Sequence, residues 1–274
     1  MEHRFENWLL VSDVDGTLAW GQQIPERNRQ ALRQFVEEGG RFTLATGRGF
    51  CALRALMEDL PVNAPVITLN GVTLVQPETG EALDTVPLSP AAIPLTRTIM
   101  ARHPETGVFV VDDSRYYIAR RPDFPDPLVE DRLRTFEADG TYVMYPLPMI
   151  PRPWHKVIFV HPPEKLEELQ QEIRELCPLE MYIVRTDVSY LELVPTGINK
   201  GTALTRVAQM LGIPLERTVA VGDQENDREL LEAAGLAAAP SGAAPCILEL
   251  ADFVAGPCDQ GAVADVIEEL ARRV

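Results

Sequence analysis

Two aspartates, Asp13 and Asp15, follow a short apolar run at residues 8–11. A run of this length predicts a buried strand of a parallel sheet. In open α/β sheets, ligands bind in the crevice beyond the carboxyl ends of the strands. The sequence therefore predicts that both carboxyl groups lie at the mouth of a crevice, where they are available for chemistry.

The same Asp-Val-Asp-Gly string is compatible with two other structures. A turn that ends a strand uses these residue types. A calcium-binding EF-hand loop needs glycine at its sixth position and glutamate at its twelfth, whereas Gly16 is fourth from Asp13 and the twelfth residue is Ile24. The spacing excludes the calcium loop and leaves the turn open.

Three further predicted strands, at 41–45, 65–69 and 218–221, also end in small or polar residues. These residues, together with a lysine at the start of a later predicted helix, are Thr46, Gly47, Arg48, Asn70, Lys200, Asp223, Asn226 and Asp227. Because ligands bind beyond the carboxyl ends of parallel strands, we expect this set to surround one crevice.

Four carboxylates at one crevice repel each other. They are Asp13, Asp15, Asp223 and Asp227. At a separation of about 4 Å and an effective dielectric constant near 20, each pair costs on the order of 4 kcal/mol. A bound cation relieves this repulsion, and oxygen ligands near a phosphate favour Mg²⁺ over Ca²⁺. With Mg²⁺, Lys200 and the donors at Thr46 and Gly47 could neutralise a phosphoryl group.

The elements around these residues predict an α/β fold. A helix is expected over 24–38 with Pro25 at its first helical position, and a shorter helix over 52–60. Strands and helices joined by short connections are typical of a Rossmann-like, doubly wound parallel sheet. After the strand at 218–221, the same alternation continues to the end of the sequence.

The pattern changes between residues 86 and 194, where prolines and aromatic residues are frequent. Strands are predicted there at 107–111, 116–119 and 157–161, and helices at 90–102 and 163–176. This composition indicates an inserted α+β domain. We therefore predict a core formed by residues 1–85 and 195–274, and an inserted domain formed by residues 86–194.

Composition restricts the partners of the protein. The chain has 274 residues, 46% of them hydrophobic, a formal net charge of −16 and a pI near 4.7. Such acidity disfavours nucleic acid and anionic membranes as partners. No apolar run is long enough to span a bilayer and no signal peptide is evident, so a cytoplasmic location is expected. A monomer or homodimer is also expected. The four cysteines lack metal-site spacing.

Four segments, in this order, resemble the motifs of the haloacid dehalogenase superfamily of phosphohydrolases. They are D-x-D-G-T-L from Asp13, A-T-G-R from Ala45, G-I-N-K-G from Gly197 and G-D-x-x-N-D from Gly222. The I-T-L-N-G segment from Ile67, and an insert between the second and third motifs, are similar to the Cof-like branch. This resemblance implies a Mg²⁺-dependent phosphatase whose inserted domain caps the active site and selects the substrate.

The resemblance also implies roles for single residues. Asp13 matches the nucleophile that forms an aspartyl phosphate, and Asp15 matches the acid that protonates the leaving oxygen and then activates water. Thr46 and Lys200 match ligands of the phosphoryl oxygens. Asp223 matches a metal ligand that acts with Asp13 and the carbonyl of Asp15.

Each of the remaining residues has two possible roles. Asp227 would support the metal or orient Lys200, and Asn226 would reach the metal or cap the next helix. Arg48 would contact the leaving group or pair with an acid. Asn70 would contact substrate or phosphate, with Gly47 beside it, or it would only form a turn.

These observations favour hydrolysis of a small phosphorylated metabolite, such as a sugar phosphate. A phosphomutase or phosphotransferase would use the same aspartyl phosphate with a hydroxyl group in place of water. A non-catalytic metal-binding module is the third hypothesis.

Overall fold

The computed structural model describes residues 3–21, 23–112, 115–124, 130, 142–186 and 188–274. It contains two compact units. The core unit comprises Met1–Arg48, Leu53–Thr85 and Asn199–Val274, and the insert unit comprises Gly49–Ala52 and Val86–Ile198.

The elements of the core unit come from both ends of the chain. The first segment contains β1 (Leu9–Ser12), α1 (Glu26–Glu37), β2 (Arg41–Leu44), α2 (Arg54–Met57), β3 (Val66–Thr68), β4 (Thr73–Val75) and β5 (Ala82–Thr85). The insert unit contributes α3 (Ala92–Arg102), β6 (Gly107–Val111), β7 (Tyr116–Arg120), β8 (Tyr142–Met144), β9 (Lys156–Val160), α4 (Leu166–Leu176), β10 (Met181–Arg185) and β11 (Tyr190–Pro195). The last segment of the core unit contains α5 (Lys200–Leu211), β12 (Thr218–Val221), α6 (Arg228–Ala233), β13 (Leu236–Pro240), α7 (Pro245–Leu248), β14 (Phe253–Ala255) and α8 (Ala262–Arg273).

The core sheet is parallel and has the strand order β14-β13-β12-β1-β2. A single parallel bridge between Ala45 and Ile67 extends it toward β3. The chain moves outward from β1 to β2 and later returns to β12 on the other side of β1. The strand order therefore reverses between β1 and β12, which is where doubly wound sheets bind ligands.

Burial explains why these segments form the centre of the sheet. All four residues of β1 and all four of β12 are buried, as expected for strands covered on both faces. Helix α5 contributes Leu204 and Val207 to the same core, and α6 contributes Leu230. Burial of one such side chain stabilises a fold by about 1.5–3 kcal/mol.

Three boundaries differ from the sequence-based expectations. Pro25 is the N-cap of α1, with a non-helical ψ of 136°, because its missing N–H is tolerated just outside the helix. Helix α2 is shorter than the predicted 52–60 and is preceded by a 3₁₀ turn at Phe50–Ala52. Strand β3 ends at Thr68 because Leu69 turns the backbone into the left-handed region.

Strands β3, β4 and β5 form a small antiparallel sheet that was not predicted from the sequence. Strands β4 and β5 have only three and four residues, and β5 is largely exposed. Such short segments have too few positions to show a reliable hydrophobic period.

The insert unit has a six-stranded sheet with the order β10-β11-β9-β6-β7-β8. All neighbours are antiparallel except β7 and β8. Its core packs Val157 and Phe159 of β9 with Ile99 of α3 and Ile173 of α4. Predicted strands at 107–111, 116–119 and 157–161 correspond to β6, β7 and β9, whereas β8 and β10 were not predicted.

The predicted fold class, a parallel doubly wound sheet with an α+β insert, is therefore confirmed. Within the described residues, the helices lack the length and hydrophobicity required to cross a bilayer.

Candidate active site

Asp13 lies immediately beyond β1 at the point where the strand order reverses. Its N–H donates to the carbonyl oxygen of Val221 at 2.8 Å, which joins the ends of β1 and β12. Its side chain is buried, and the Lys200 ammonium donates to Oδ1 at 2.6 Å. Within the described part of the chain, Oδ2 of Asp13 accepts no hydrogen bond, so this oxygen remains available to a ligand.

Lys200 is the first residue of α5 and is 1% exposed. The preceding Asn199 caps the helix, because its side chain accepts a hydrogen bond from the Thr202 N–H at 2.8 Å. Besides Asp13, the ammonium contacts Oδ1 of Asp227 at 2.5 Å. Burial lowers the pKa of Lys200, but the two carboxylates outweigh burial and hold that pKa above its usual value.

A 3₁₀ turn at Glu225–Asp227 follows β12, and Asp227 is its last residue. The Asp227 side chain is fully buried. Its Oδ2 accepts from the backbone N–H groups of Asp223 and Gln224 at 3.0 and 3.1 Å. Its Oδ1 accepts from Lys200. Since three protein donors, one of them the Lys200 ammonium, occupy Asp227, the geometry favours an orienting role for Asp227 over direct coordination of a metal.

Asp223 follows β12 and faces the turn that follows β1. Its Oδ1 accepts from the Thr17 hydroxyl at 2.8 Å, and its Oδ2 accepts from the Gln224 side-chain amide at 3.0 Å. Gly16 has φ of +88°, and a Cβ placed there would lie 2.5 Å from Oδ2 of Asp223. Only glycine allows this approach without displacing the carboxylate.

The carboxyl groups of Asp13, Asp223 and Asp227 form one buried acidic cluster, in which one oxygen from each lies within 4.8 Å of the others. Burial raises the pKa of Asp13 well above its ordinary value, although Lys200 opposes this rise. Burial also raises the pKa of Asp223. One ammonium cannot balance three carboxylates, so the all-oxygen set fits a hard divalent cation.

The loops after β2 and β3 are held together by Thr46. Its carbonyl oxygen accepts from the Asn70 N–H at 2.9 Å, and its buried hydroxyl accepts from the Arg48 N–H at 3.2 Å. A Cβ on Gly47 would lie 3.3 Å from Oδ1 of Asn70, so the Asn70 amide lies over the backbone at Gly47. Leu69 and Asn70 both have positive φ, a costly conformation typical of functional turns.

The Arg48 guanidinium forms an ion pair with Asp15, in which Nε donates to Oδ2 at 2.8 Å and Nη2 donates to Oδ1. The Asp15 side chain is 53% exposed and lies outside the acidic cluster. Asn226 donates through Nδ2 to Oδ1 of Asn70 at 3.2 Å. The structure thus brings Asn226 to Asn70. The side-chain oxygen of Asn226 is the atom that could still coordinate a metal.

Two residues of this site were not singled out from the sequence. Thr17 and Gln224 hold the Asp223 carboxylate from opposite sides. Thr17 could have been found, because its hydroxyl follows Gly16 within the first motif. Gln224 has no comparable signal, since its position next to Asp223 does not reveal where its amide points.

The comparison with known families agrees with this geometry. A sequence profile described as haloacid dehalogenase-like hydrolase matches residues 10–267. The chain belongs to this hydrolase family.

Curated relatives of this hydrolase are named phosphatases. An HMP-PP phosphatase of Cronobacter sakazakii is 31% identical over 262 residues, covering 93% of each chain. A 5-amino-6-(5-phospho-D-ribitylamino)uracil phosphatase of Bacillus subtilis is 25% identical, covering 94% of each chain. The predicted superfamily and the enzyme class, phosphoric monoester hydrolase, are confirmed.

Solved structures show the same fold. A haloacid dehalogenase-like hydrolase from Bacteroides thetaiotaomicron has a TM-score of 0.83 and 26% identity, covering 96% of this chain and 99% of its own. A sugar phosphatase of subclass IIB has a TM-score of 0.82 and 20% identity, covering 96% and 98%. The second likeness concerns the fold alone, because its sequence identity is low.

Proposed function

We propose that this protein is a Mg²⁺-dependent phosphatase that hydrolyses a small phosphorylated metabolite through an aspartyl phosphate on Asp13. One observation carries the proposal. The buried Asp13 carboxylate is held by Lys200 through Oδ1 at the switch point of the sheet, which leaves Oδ2 available for attack. Relatives named as phosphatases support the same reaction class.

Asp13 acts as the nucleophile. Oδ2 attacks phosphorus and forms a new O–P bond while the ester P–O bond breaks, which divides the transfer into two easier steps. Lys200 fixes the orientation of the carboxylate, because it contacts Asp13 and Asp227 at the same time. Water then hydrolyses the aspartyl phosphate and restores the carboxylate.

Lys200, Thr46 and Gly47 bind the phosphoryl oxygens in this proposal. The ammonium of Lys200 and the hydroxyl of Thr46 are both buried, so their electrostatic effect is larger than in water. The backbone N–H of Gly47 adds a third donor. Arg48 and Asn70 bind the remainder of the substrate, with Asn226 supporting Asn70.

Asp13, Asp223 and the carbonyl oxygen of Asp15 would hold Mg²⁺, with Asp227 and Asn226 adjacent. When bound, this ion supplies positive charge that neutralises the phosphoryl oxygens. Thr17 and Gln224 keep the Asp223 carboxylate in place for that purpose.

Asp15 gives a proton to the leaving oxygen and later takes one from the attacking water. In the structure its carboxylate contacts Arg48, so this contact must shift when the leaving group arrives. Arg48 is then positioned to bind polar groups of the same leaving group.

By the resemblance to the Cof-like branch, the insert unit selects the substrate through its contacts with the leaving group. A sugar phosphate is one candidate, since a relative that is 25% identical is named for a substrate with a phosphorylated ribityl group. A cytoplasmic location and a monomeric or homodimeric state stay predictions.

The decisive experiment measures phosphate release from an aryl phosphate with Mg²⁺ or with a chelator. The native chain is compared with Asp13→Asn and with Asp59→Asn, a surface aspartate paired with Arg29. We expect Mg²⁺-dependent release that falls by more than about 1000-fold in Asp13→Asn, because loss of a nucleophile has effects of this size. Asp59→Asn should retain the native rate.

Three results would contradict the proposal. Unchanged release in Asp13→Asn would remove this residue from the mechanism. Conversion of a sugar phosphate to an isomer without inorganic phosphate would indicate a phosphomutase, and metal binding without turnover of any phosphate ester would indicate a binding module.

A further inference from the structure

A second group of metal-ligating side chains lies within the insert unit and is not used by the proposed reaction. One nitrogen of His103, one nitrogen of His161 and one carboxylate oxygen of Glu105 lie within 4.8 Å of one another. We propose that His103, Glu105 and His161 form a binding site for a divalent transition-metal ion of the Zn²⁺ class.

The two histidines already have the outer contacts that metal-binding histidines require. Nε2 of His103 lies 2.7 Å from Oε2 of Glu172, and Nδ1 of His161 lies 2.8 Å from the Thr106 hydroxyl. Hydrogen bonds of this kind select the tautomer and orient the ring of a metal-bound histidine. They leave Nδ1 of His103 and Nε2 of His161 as the coordinating atoms.

His161 keeps one ring nitrogen available to an ion. Its side chain is 2% exposed, and Nε2 takes part in no hydrogen bond with the described residues. Solvent reaches Nε2, since this atom is not one of the enclosed, unpartnered side-chain nitrogens of the described residues. A metal ion can therefore reach the same atom.

Backbone hydrogen bonds position both histidines before any ion binds. His103 follows the last residue of α3, and its N–H donates to the carbonyl oxygen of Ile99 at 2.9 Å. His161 follows β9, and its N–H donates to the carbonyl oxygen of Ser189 at 3.0 Å. Ligands from the α3–β6 loop and from the end of β9 would therefore be joined by the ion.

The ligand types determine which metal is preferred. Two imidazoles and one carboxylate suit Zn²⁺, Co²⁺, Ni²⁺ or Cu²⁺ and are unsuited to Mg²⁺. Three protein ligands leave a fourth position for water. Arg102 contacts Glu172 at 2.7 Å, and Lys165 forms a long, exposed ion pair with Glu105 at 4.0 Å, which an incoming metal ion would replace.

A polar network without a metal is the alternative, with His103 between Glu105 and Glu172. The two interpretations differ in what zinc does. A polar network would not bind Zn²⁺. A metal site would bind one Zn²⁺ per chain, separately from any ion bound at the acidic cluster of the core unit.

The test titrates Zn²⁺ calorimetrically into the full chain without an affinity tag, in Mg²⁺ buffer. Asp223→Asn serves as the background, because it weakens the core cluster. One Zn²⁺ should still bind to this background. Glu105→Gln and His161→Gln should each lower the affinity for Zn²⁺ by more than about 100-fold, which exceeds the loss typical of residues that only contact a metal ligand. Glu172→Gln should weaken it by about 10–100-fold.

Two control variants remove exposed groups elsewhere, Glu167→Gln on α4 and His3→Gln near the N-terminus. Both should bind Zn²⁺ as the parent does. Co²⁺ should give visible absorption that is lost in Glu105→Gln. The Glu105 side chain is partly exposed, so this substitution leaves the core packing intact. Equal Zn²⁺ affinity in Glu105→Gln, or no binding in Asp223→Asn, would overturn the proposal without affecting the phosphatase assignment.

Discussion

At the residue scale, Lys200 is the most constrained side chain of the site. It is fully buried and contacts Asp13 and Asp227, which come from the first and last segments of the core unit. A buried ammonium is stable only when such partners compensate for the lost hydration. Its position therefore determines both the orientation of the nucleophile and the stability of the core unit.

We predict that Lys200→Met destabilises the protein by about 3–5 kcal/mol in the presence of a chelator, because it leaves buried carboxylates without their cation. Urea unfolding of the metal-depleted chain measures this free energy. The double variant Lys200→Met/Asp227→Asn should cost less than the sum of both single variants, since one of the repelling charges is gone. Strict additivity would show that these two residues do not interact.

At the element scale, the turn after β1 packs against the turn after β12. This contact is made by Gly16 and Asp223, and it leaves no room for a side chain at residue 16. The parallel register of β1 and β12, with Ser12 opposite Val221, places the two turns side by side. The sheet thus brings together motifs from the two ends of the chain.

Gly16→Ala is expected to reduce Mg²⁺-dependent phosphate release by about 10–100-fold, because the new Cβ displaces the Asp223 carboxylate. The matched control is Gly212→Ala, at the end of α5, where φ is +67° and nothing lies within 4 Å of the added Cβ. Both variants bear the cost of a left-handed alanine, about 1–2 kcal/mol. Equal loss of activity in the two would attribute the effect to backbone strain and not to Asp223.

At the scale of the whole molecule, stability should depend on pH through Cys258, which is 7% exposed. Burial, with the nearby carboxylates of Asp223 and Asp259, raises the pKa of its thiol from about 9 to about 11. The unfolded chain therefore loses this proton at lower pH than the folded chain. The stabilising effect is present below pH 9 and is lost as the pH rises from 9 to 11.

We expect the free energy of unfolding to fall with pH over this range by roughly 3 kcal/mol more in the native chain than in Cys258→Ala, since one pKa unit corresponds to about 1.4 kcal/mol. Denaturant unfolding of metal-depleted protein at several pH values measures the difference. Parallel curves for the two proteins would show that the thiol ionises alike in folded and unfolded chains.

The fold was predictable to the extent that the sequence carries long or repeated signals. The apolar runs of β1 and β12 and the apolar face of α5 were recognisable because burial imposes the residue type at each position. Strands β4, β5, β8 and β10 were not predicted. These strands are short, or every second residue in them is exposed, so their apolar pattern is weak. Their strand conformation depends on neighbouring strands that pair with them only in the folded protein.

The sequence by itself determined the family, the order of the four motifs and the acids and lysine available for catalysis, because these depend on residue type and spacing. Only the tertiary structure decided how those groups are used. It engages both oxygens of Asp227, pairs Asp15 with Arg48, and leaves Oδ2 of Asp13 available. It also brings His103 and His161 together. Hydrogen-bond partners depend on distances between segments remote in sequence, and folding alone sets those distances.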